Sequence, residues 1–393
     1  MPVDWKNIRE SQFPALNNLT YLAAASSSPL LKSAYAKSME YFNEMLNYGD
    51  LHHELFFLEI DQTRKQIAEY INAKPEEIAF LFNTSSGIHT IARLFKQEKG
   101  EILYPSVEFP ASVHAFKRLG YPCRKVQQIE NKYLVENFQN ELKRNTKYIV
   151  HSHVQSFNGF RQNLEDLGKL CKDYNLKNII NSTQSFGAFR IDVKKYNIDI
   201  MVCCALKWIA CGFGIGILYI NEDIIKERTL PFTSWLSVEN PFDMDSDNLN
   251  VIKNTRAIDS MGGCPNFASL YGLGGAFDLI KNKIGGGNIR TGIERIQERI
   301  ISLTNEFLEY IQEFDFQYIT PLEKEFRSGI ITVEHNKAKK IHRRLSKNNI
   351  YVSLKKYPKS AKETLIRFGI NYYNTSEDFE RTVKFLREAF ARL

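Results

Sequence analysis

Lys207 stands at the end of the apolar run MVCCAL (201–206) and just ahead of the turn Cys211-Gly212-Phe213-Gly214-Ile215-Gly216. An amine held against an apolar strand end is poorly hydrated, so its charged form is disfavoured and it becomes a nucleophile at a lower pH than a free lysine. Capture of a carbonyl as an imine is the chemistry open to such a group. A solvated strand terminus would show the same local sequence, and position alone does not separate the two. The second feature is Asn83-Thr84-Ser85-Ser86-Gly87, which follows the apolar stretch IAFLF and opens a helical one. Hydroxyls and free N–H groups at a helix start suit an anion such as a phosphate, although an ordinary N-cap uses the same residues. A third, His151 and His153, is an HxH pair on a strand. It would put two imidazoles on one face, but the sequence signals no third metal ligand, so no metal site is expected.

These residues lie in a stretch where short apolar runs alternate with helical periods. The runs are IAFLF, EILYP, KYIVHSHV, NIINS, IDIMVCCAL and IGILYI, and the helices between them include IHTIARLFKQ, SVHAFKRLG and LEDLGKLCKDYN. That alternation predicts an α/β domain with a largely parallel sheet covered on both faces, in which ligands sit beyond the carboxyl ends of the strands. Lys207 and the 83–87 loop fall at such ends. After residue 266 the pattern changes to long amphipathic helices and short strands near GIITVEH and TLIRFGI, an α+β signature. We therefore expect a large α/β domain over 50–265, a smaller α+β domain over 266–393, and an N-terminal segment, 1–50, folded back onto the smaller domain.

Composition narrows the classes further. The 393 residues are 43% hydrophobic and 25% charged, as in an ordinary globular chain of two domains. Lys plus Arg exceeds Asp plus Glu by 52 − 45 = 7, but the excess is scattered, so a nucleic-acid partner is not expected. No apolar stretch suggests a signal peptide or a membrane span. The six cysteines, Cys123, Cys171, Cys203, Cys204, Cys211 and Cys264, lack CxxC spacing, and free thiols imply a reducing cytoplasm.

The segment NIINSTQSFGAFRIDVKKYNIDIMVCCALKWIACGFGIGILYI resembles the class V aminotransferases. Their pattern runs from an aspartate through two small residues to Gln-Ser and Gly, then to a Ser-Gly-His-Lys segment and a Gly-x-Gly turn. The likeness continues in family order through NTSSGIHTIA, VEFPASVHAF, SHVQSFNGFRQNLEDLGKLC, SWLSVENPFDMD, GGCPNFASLYGL and RFGINYYNTSEDF. It implies the fold type I architecture of pyridoxal 5'-phosphate (PLP) enzymes, with a mostly parallel seven-stranded sheet, a homodimer, and chemistry on a small amino substrate. Position by position, the resemblance makes Lys207 the Schiff-base lysine. Thr84 and Ser85 match the phosphate loop, Phe109 the residue stacked on the pyridine ring, and Gln184 the partner of the ring hydroxyl. Arg367 matches the arginine that grips the substrate carboxylate.

Three departures qualify that expectation. Asn181 replaces the aspartate that pairs with the pyridine nitrogen, and a neutral amide stabilises a cationic ring far less well. Cys204 and Leu206 replace the serine and histidine ahead of the lysine, and Cys264 stands where a threonine often reaches the neighbouring subunit's phosphate. No cysteine follows Cys264, so a desulfurase mechanism through a nucleophilic cysteine in the C-terminal domain is not expected. Transamination leads, with a lyase or epimerase of the same fold as the alternative. From another class, a catalytically weakened PLP-fold sensor or partner protein also fits the departures.

Overall fold

The computed structural model describes residues 2–391. The chain opens with helix α1 (Trp5–Gln12), strand β1 (Thr20–Tyr21) and two long helices, α2 (Lys32–Tyr48) and α3 (His53–Ile71). There follow β2 (Ile78–Leu81), α4 (Thr84–Leu94), β3 (Glu101–Pro105), α5 (Ala111–Arg118), β4 (Cys123–Val126), α6 (Val135–Gln139), β5 (Thr146–Ser152), α7 (Leu164–Asp173), β6 (Lys177–Asn181), β7 (Ile200–Cys204), β8 (Gly216–Ile220) and α8 (Glu222–Lys226). The last part contains α9 (Phe267–Asp278), α10 (Ile289–Ile311), β9 (Gln317–Tyr318), β10 (Ile330–Glu334), α11 (Ala338–Ser346), β11 (Ile350–Tyr351), β12 (Ser353–Lys355), β13 (Leu365–Gly369) and α12 (Ser376–Phe390).

Seven strands form one sheet in the order β2-β8-β7-β6-β5-β3-β4, as expected from the sequence. Neighbours are parallel except that β8 runs antiparallel to both β2 and β7. Strands β7 and β8 inside the sheet, and β2 at one edge, are buried along their length because helices cover the sheet faces, so they read as unbroken apolar runs rather than alternations. Alternation is still present in the packing. Ile78, Phe80, Met201, Cys203, Ile217 and Tyr219 contribute to a core shared with α3, α9 and α10, whereas Ala79, Leu81, Ile200, Val202, Leu218 and Ile220 join the core beneath α4 and α5. Strand β4 escapes the sequence pattern because three of its four residues are not fully buried, as suits the sheet edge that it forms.

A second, antiparallel sheet has the order β12-β13-β10-β9 and shares a core with α10, α11 and α12. The N-terminal segment is bound to it. Strand β1 pairs with β11, Ala23 bridges Gly369, and Arg9 is clamped by the Asp378 carboxylate at 2.9 Å and the Tyr373 carbonyl at 2.7 Å. The same segment then reaches the large sheet, where Ser28 N–H donates to the Leu206 carbonyl and Leu31 N–H to that of Ala210. Residues 25 and 26 are thereby fixed between the two sheets, above the carboxyl ends of β5, β6 and β7.

Candidate active site

At those strand ends lies a cavity of about 400 Å³, lined by Lys207, Phe109, Asn181, Gln184, Arg367 and the loop residues Thr84 and Ser85. All seven residues to which the resemblance assigns a role line this one cavity. The turn after β7 holds Lys207 firmly. Ala210 N–H donates to the Lys207 carbonyl and Cys211 N–H to that of Ala205, with Ala210 in the left-handed region at φ 60°. Burial lowers the Lys207 pKa to about 8, with Arg367 and Lys355 also lowering it against an opposing contribution from Cys204. Its Nζ lies 5.8 Å from the centre of the Phe109 ring. That ring is 47% exposed, an unusual state for a phenylalanine, and forms an open aromatic wall.

The loop before α4 turns the start of that helix toward the cavity. The Asn83 side chain accepts from Ser86 N–H at 2.9 Å and caps the helix, while the N–H groups of Thr84 and Ser85 have no acceptor within the helix. Thr84 Oγ1 meets Thr183 Oγ1 at 2.9 Å, which brings a hydroxyl that sequence reasoning had not included. Gly216 permits this geometry, since a Cβ there would lie 2.7 Å from backbone atoms of Asn83.

Arg367 is only 4% exposed, and among the described residues no carboxylate pairs with it. Its Nη1 donates to the carbonyl and hydroxyl of Ser156 at 2.7 and 3.0 Å, its Nη2 donates to Ser26 Oγ at 2.9 Å, and its buried Nε has no partner. Burial lowers its pKa to about 10. A buried guanidinium supported only by neutral oxygens is incomplete until an anion reaches it. Gln184 is more fully engaged. Its Nε2 donates to the Ala25 carbonyl at 2.8 Å and Ser156 Oγ at 3.3 Å, and its Oε1 accepts from Trp208 Nε1 at 3.1 Å. Contact with a ring hydroxyl would require it to give up the longer bond to Ser156.

Asn181 ends β6 with its Oδ1 accepting from Thr183 N–H at 3.0 Å and its Nδ2 donating to Ser112 Oγ at 2.9 Å. Ser112 donates onward to Glu108 Oε1 at 3.1 Å. Glu108 is buried and also accepts from Phe109 N–H, Ser152 N–H, Ser152 Oγ and Gln155 Nε2, at 2.5 to 3.0 Å. The Asn181 amide therefore has one possible orientation, because a backbone N–H must meet its oxygen and an already committed hydroxyl must meet its nitrogen. Sequence reasoning missed Glu108, Ser112, Ser26 and Ser156. Glu108 adjoins Phe109 in VEFPAS, yet nothing local marks it as buried.

His151 and His153 are buried, and burial lowers both pKa values, that of His151 to about 4. His151 Nε2 lies 3.1 Å from Asn178 Oδ1, and no cluster of three metal-ligating side chains occurs among the described residues.

An amine of lowered pKa, an open aromatic face, the start of a helix and a buried guanidinium without a carboxylate partner surround one cavity of an α/β fold, as the resemblance to PLP enzymes leads one to expect. The comparisons agree. Residues 20–382 match the aminotransferase class-V family, and the chain belongs to it. It is 21% identical over 376 residues to an uncharacterized aminotransferase, YcbU, of Bacillus subtilis (strain 168), with 94% of each chain covered. It is 24% identical to a kynureninase of Bacillus cereus, covering 96% of this chain and 90% of that one. Among solved structures, the apo cysteine desulfurase of Thermococcus onnurineus NA1 superposes with a TM-score of 0.87 at 21% identity, covering 100% and 99% of the two chains. The cystine C-S lyase C-DES, in a mutant with glycine covalently linked to the PLP cofactor, gives 0.83 at 18% identity, covering 96% and 98%. The fold is thus fold type I, and the family's cofactor is PLP. The residues present fit that group in its phosphate, ring and imine contacts, and depart from the family pattern at Asn181.

Proposed function

We propose that this chain is a PLP-dependent enzyme that acts on a small amino acid, with transamination as its reaction. The observation that carries the reading is Arg367, a buried cation without a carboxylate partner, beside a lysine whose pKa is lowered to about 8. When bound, PLP supplies a carbonyl for covalent capture and a ring that delocalises electrons from the substrate Cα. Lys207 Nζ would hold it covalently and, as an amine with a pKa lowered to about 8, would serve as general base and acid for the proton at the substrate Cα. Arg367 would fix the substrate carboxylate with its guanidinium and so orient the Cα. Phe109 would hold the ring, Thr84 and Ser85 would take the phosphate, and Gln184 would contact the ring hydroxyl. Asn181 would offer its second Nδ2 hydrogen to the ring nitrogen.

One observation favours a second reaction within this reading. A ring nitrogen facing a neutral amide accepts electrons weakly, and that suits elimination from the β carbon better than full transamination. The relatives named cysteine desulfurase and kynureninase show that this family includes members named for other reactions. A screen of amino acids with the PLP-loaded protein separates the two, since transamination leaves a 2-oxo acid and needs an amino acceptor, whereas elimination releases ammonia with no acceptor present. If purified, loaded protein turns over no amino acid in either format, the enzymatic reading is wrong.

We infer further that the working form is a homodimer in the cytoplasm. Leu46 is 81% exposed and Phe42 51% on α2, and Leu51, Leu55 and Leu58 continue the same apolar character into α3. An apolar face of this kind calls for a partner surface, and Phe213 and Phe82 extend exposed apolar groups to the neighbourhood of the cavity. Among the described residues no helix is long and apolar enough to cross a membrane.

A further inference from the structure

The cavity contains a third basic group that the reading so far does not use. Lys355 lines it together with Lys207 and Arg367, and none of its lining residues is an aspartate or glutamate. Lys355 closes β12, two residues from Ser353 and so on the same face of that strand. Ser353 pairs in register with Arg367, and its hydroxyl lies 3.0 Å from Ser26 Oγ, which accepts from Arg367. The ammonium group is therefore displayed on the same side of the cavity as the Arg367 guanidinium. No ion pair or hydrogen bond engages it among the described residues. Partial burial and then Arg367 push its pKa down, and no acidic group of the protein counters them.

Two adjacent cations without an acid between them repel each other, and a sequence gains nothing by placing them so unless a ligand brings two negative groups. We propose that Lys355 binds a second anionic group on the substrate, so that the preferred amino acids carry an acidic side chain. This rests on the proposed function, since it assumes that Arg367 takes the α-carboxylate. The edge position of β12 leaves the Lys355 side chain exposed enough to exchange acidic substrates, and a neutral side chain would leave the ammonium without a partner.

The test uses the PLP-loaded protein and unreactive probes. Calorimetric titration with succinate and with butyrate, which differ in one carboxylate, gives the affinity ratio directly. We expect succinate to bind at least about tenfold more tightly in the unaltered protein, the ratio to fall toward one in Lys355→Gln, and Lys355→Arg to restore most of it. Equal affinities in the unaltered protein, or a ratio that survives Lys355→Gln, would overturn the proposal. Because neither probe reacts, the result is distinct from failure of the enzymatic reading. A protein that binds PLP and turns over neutral amino acids without preferring succinate refutes only the role of Lys355. One that prefers succinate but turns over nothing refutes only the catalytic reading.

Discussion

At the residue scale the departure from the family pattern at Asn181 has a structural context that bears on any attempt to reverse it. Ser112 has one proton, and Glu108 receives it. An aspartate at 181 would present a second carboxylate to the oxygen of that serine, with no hydrogen left to share. Asn181→Asp is therefore expected to lower stability by about 1–3 kcal/mol, measured by urea unfolding, instead of simply restoring a family function. Glu108→Gln should cost about as much, because five donors converge on that carboxylate and an amide nitrogen cannot accept from them. Arg367 should behave in the opposite way. Removing a buried, unpaired cation in Arg367→Leu is expected to leave thermal stability unchanged or raised, while kcat/KM falls by about 100-fold or more. Lys207 carries a pH prediction. Its amine attacks only when neutral, and with a pKa lowered to about 8 the rate of PLP uptake by stripped protein should climb from pH 7 and level off above pH 9. A rate still climbing beyond pH 10 would mean that the amine is solvated like a free lysine.

At the scale of elements, Gly216 links the strand that follows Lys207 to the loop that would hold the phosphate. Gly216→Ala forces a methyl group against the Asn83 backbone, so PLP affinity should drop about tenfold or more, with a stability loss of about 1–3 kcal/mol. Equilibrium dialysis against PLP checks the first effect and urea unfolding the second. What the sequence revealed of these elements follows from how each is buried. Strands β2, β3, β5, β6, β7 and β8 were legible because two covered faces leave apolar runs between helical periods. Strand β4 was not, because three of its four residues stay partly exposed and leave no apolar run. Lys207 and the 83–87 loop stood out as candidates from their positions at strand ends, and the resemblance decided between a site and a solvated terminus or ordinary N-cap. Phe109, Asn181, Gln184 and Arg367 became so only through the resemblance, since nothing in RFGINYY says that its arginine is buried. Ser26, Ser156 and Lys355 reach the cavity from three separate stretches of chain, with Glu108 behind its wall at Ser152, and only tertiary packing brings them together.

At the scale of the whole molecule, the N-terminal segment ties the two sheets together and delivers Ser26 to Arg367, so the cavity is a product of both halves of the chain. The apolar surface of α2 and the start of α3 extends this logic to a second copy. Leu46→Asp, at an 81% exposed position, should convert the protein to a monomer in light scattering without unfolding it. A monomeric unaltered protein would remove the argument for an interface there. The central claim, that Lys207 carries the cofactor, is tested most directly by reducing the PLP-loaded protein with borohydride and mapping the modified peptide by mass. The account predicts a pyridoxyl adduct on the peptide containing Lys207; no adduct, or one confined to Lys355 across the cavity, would contradict it.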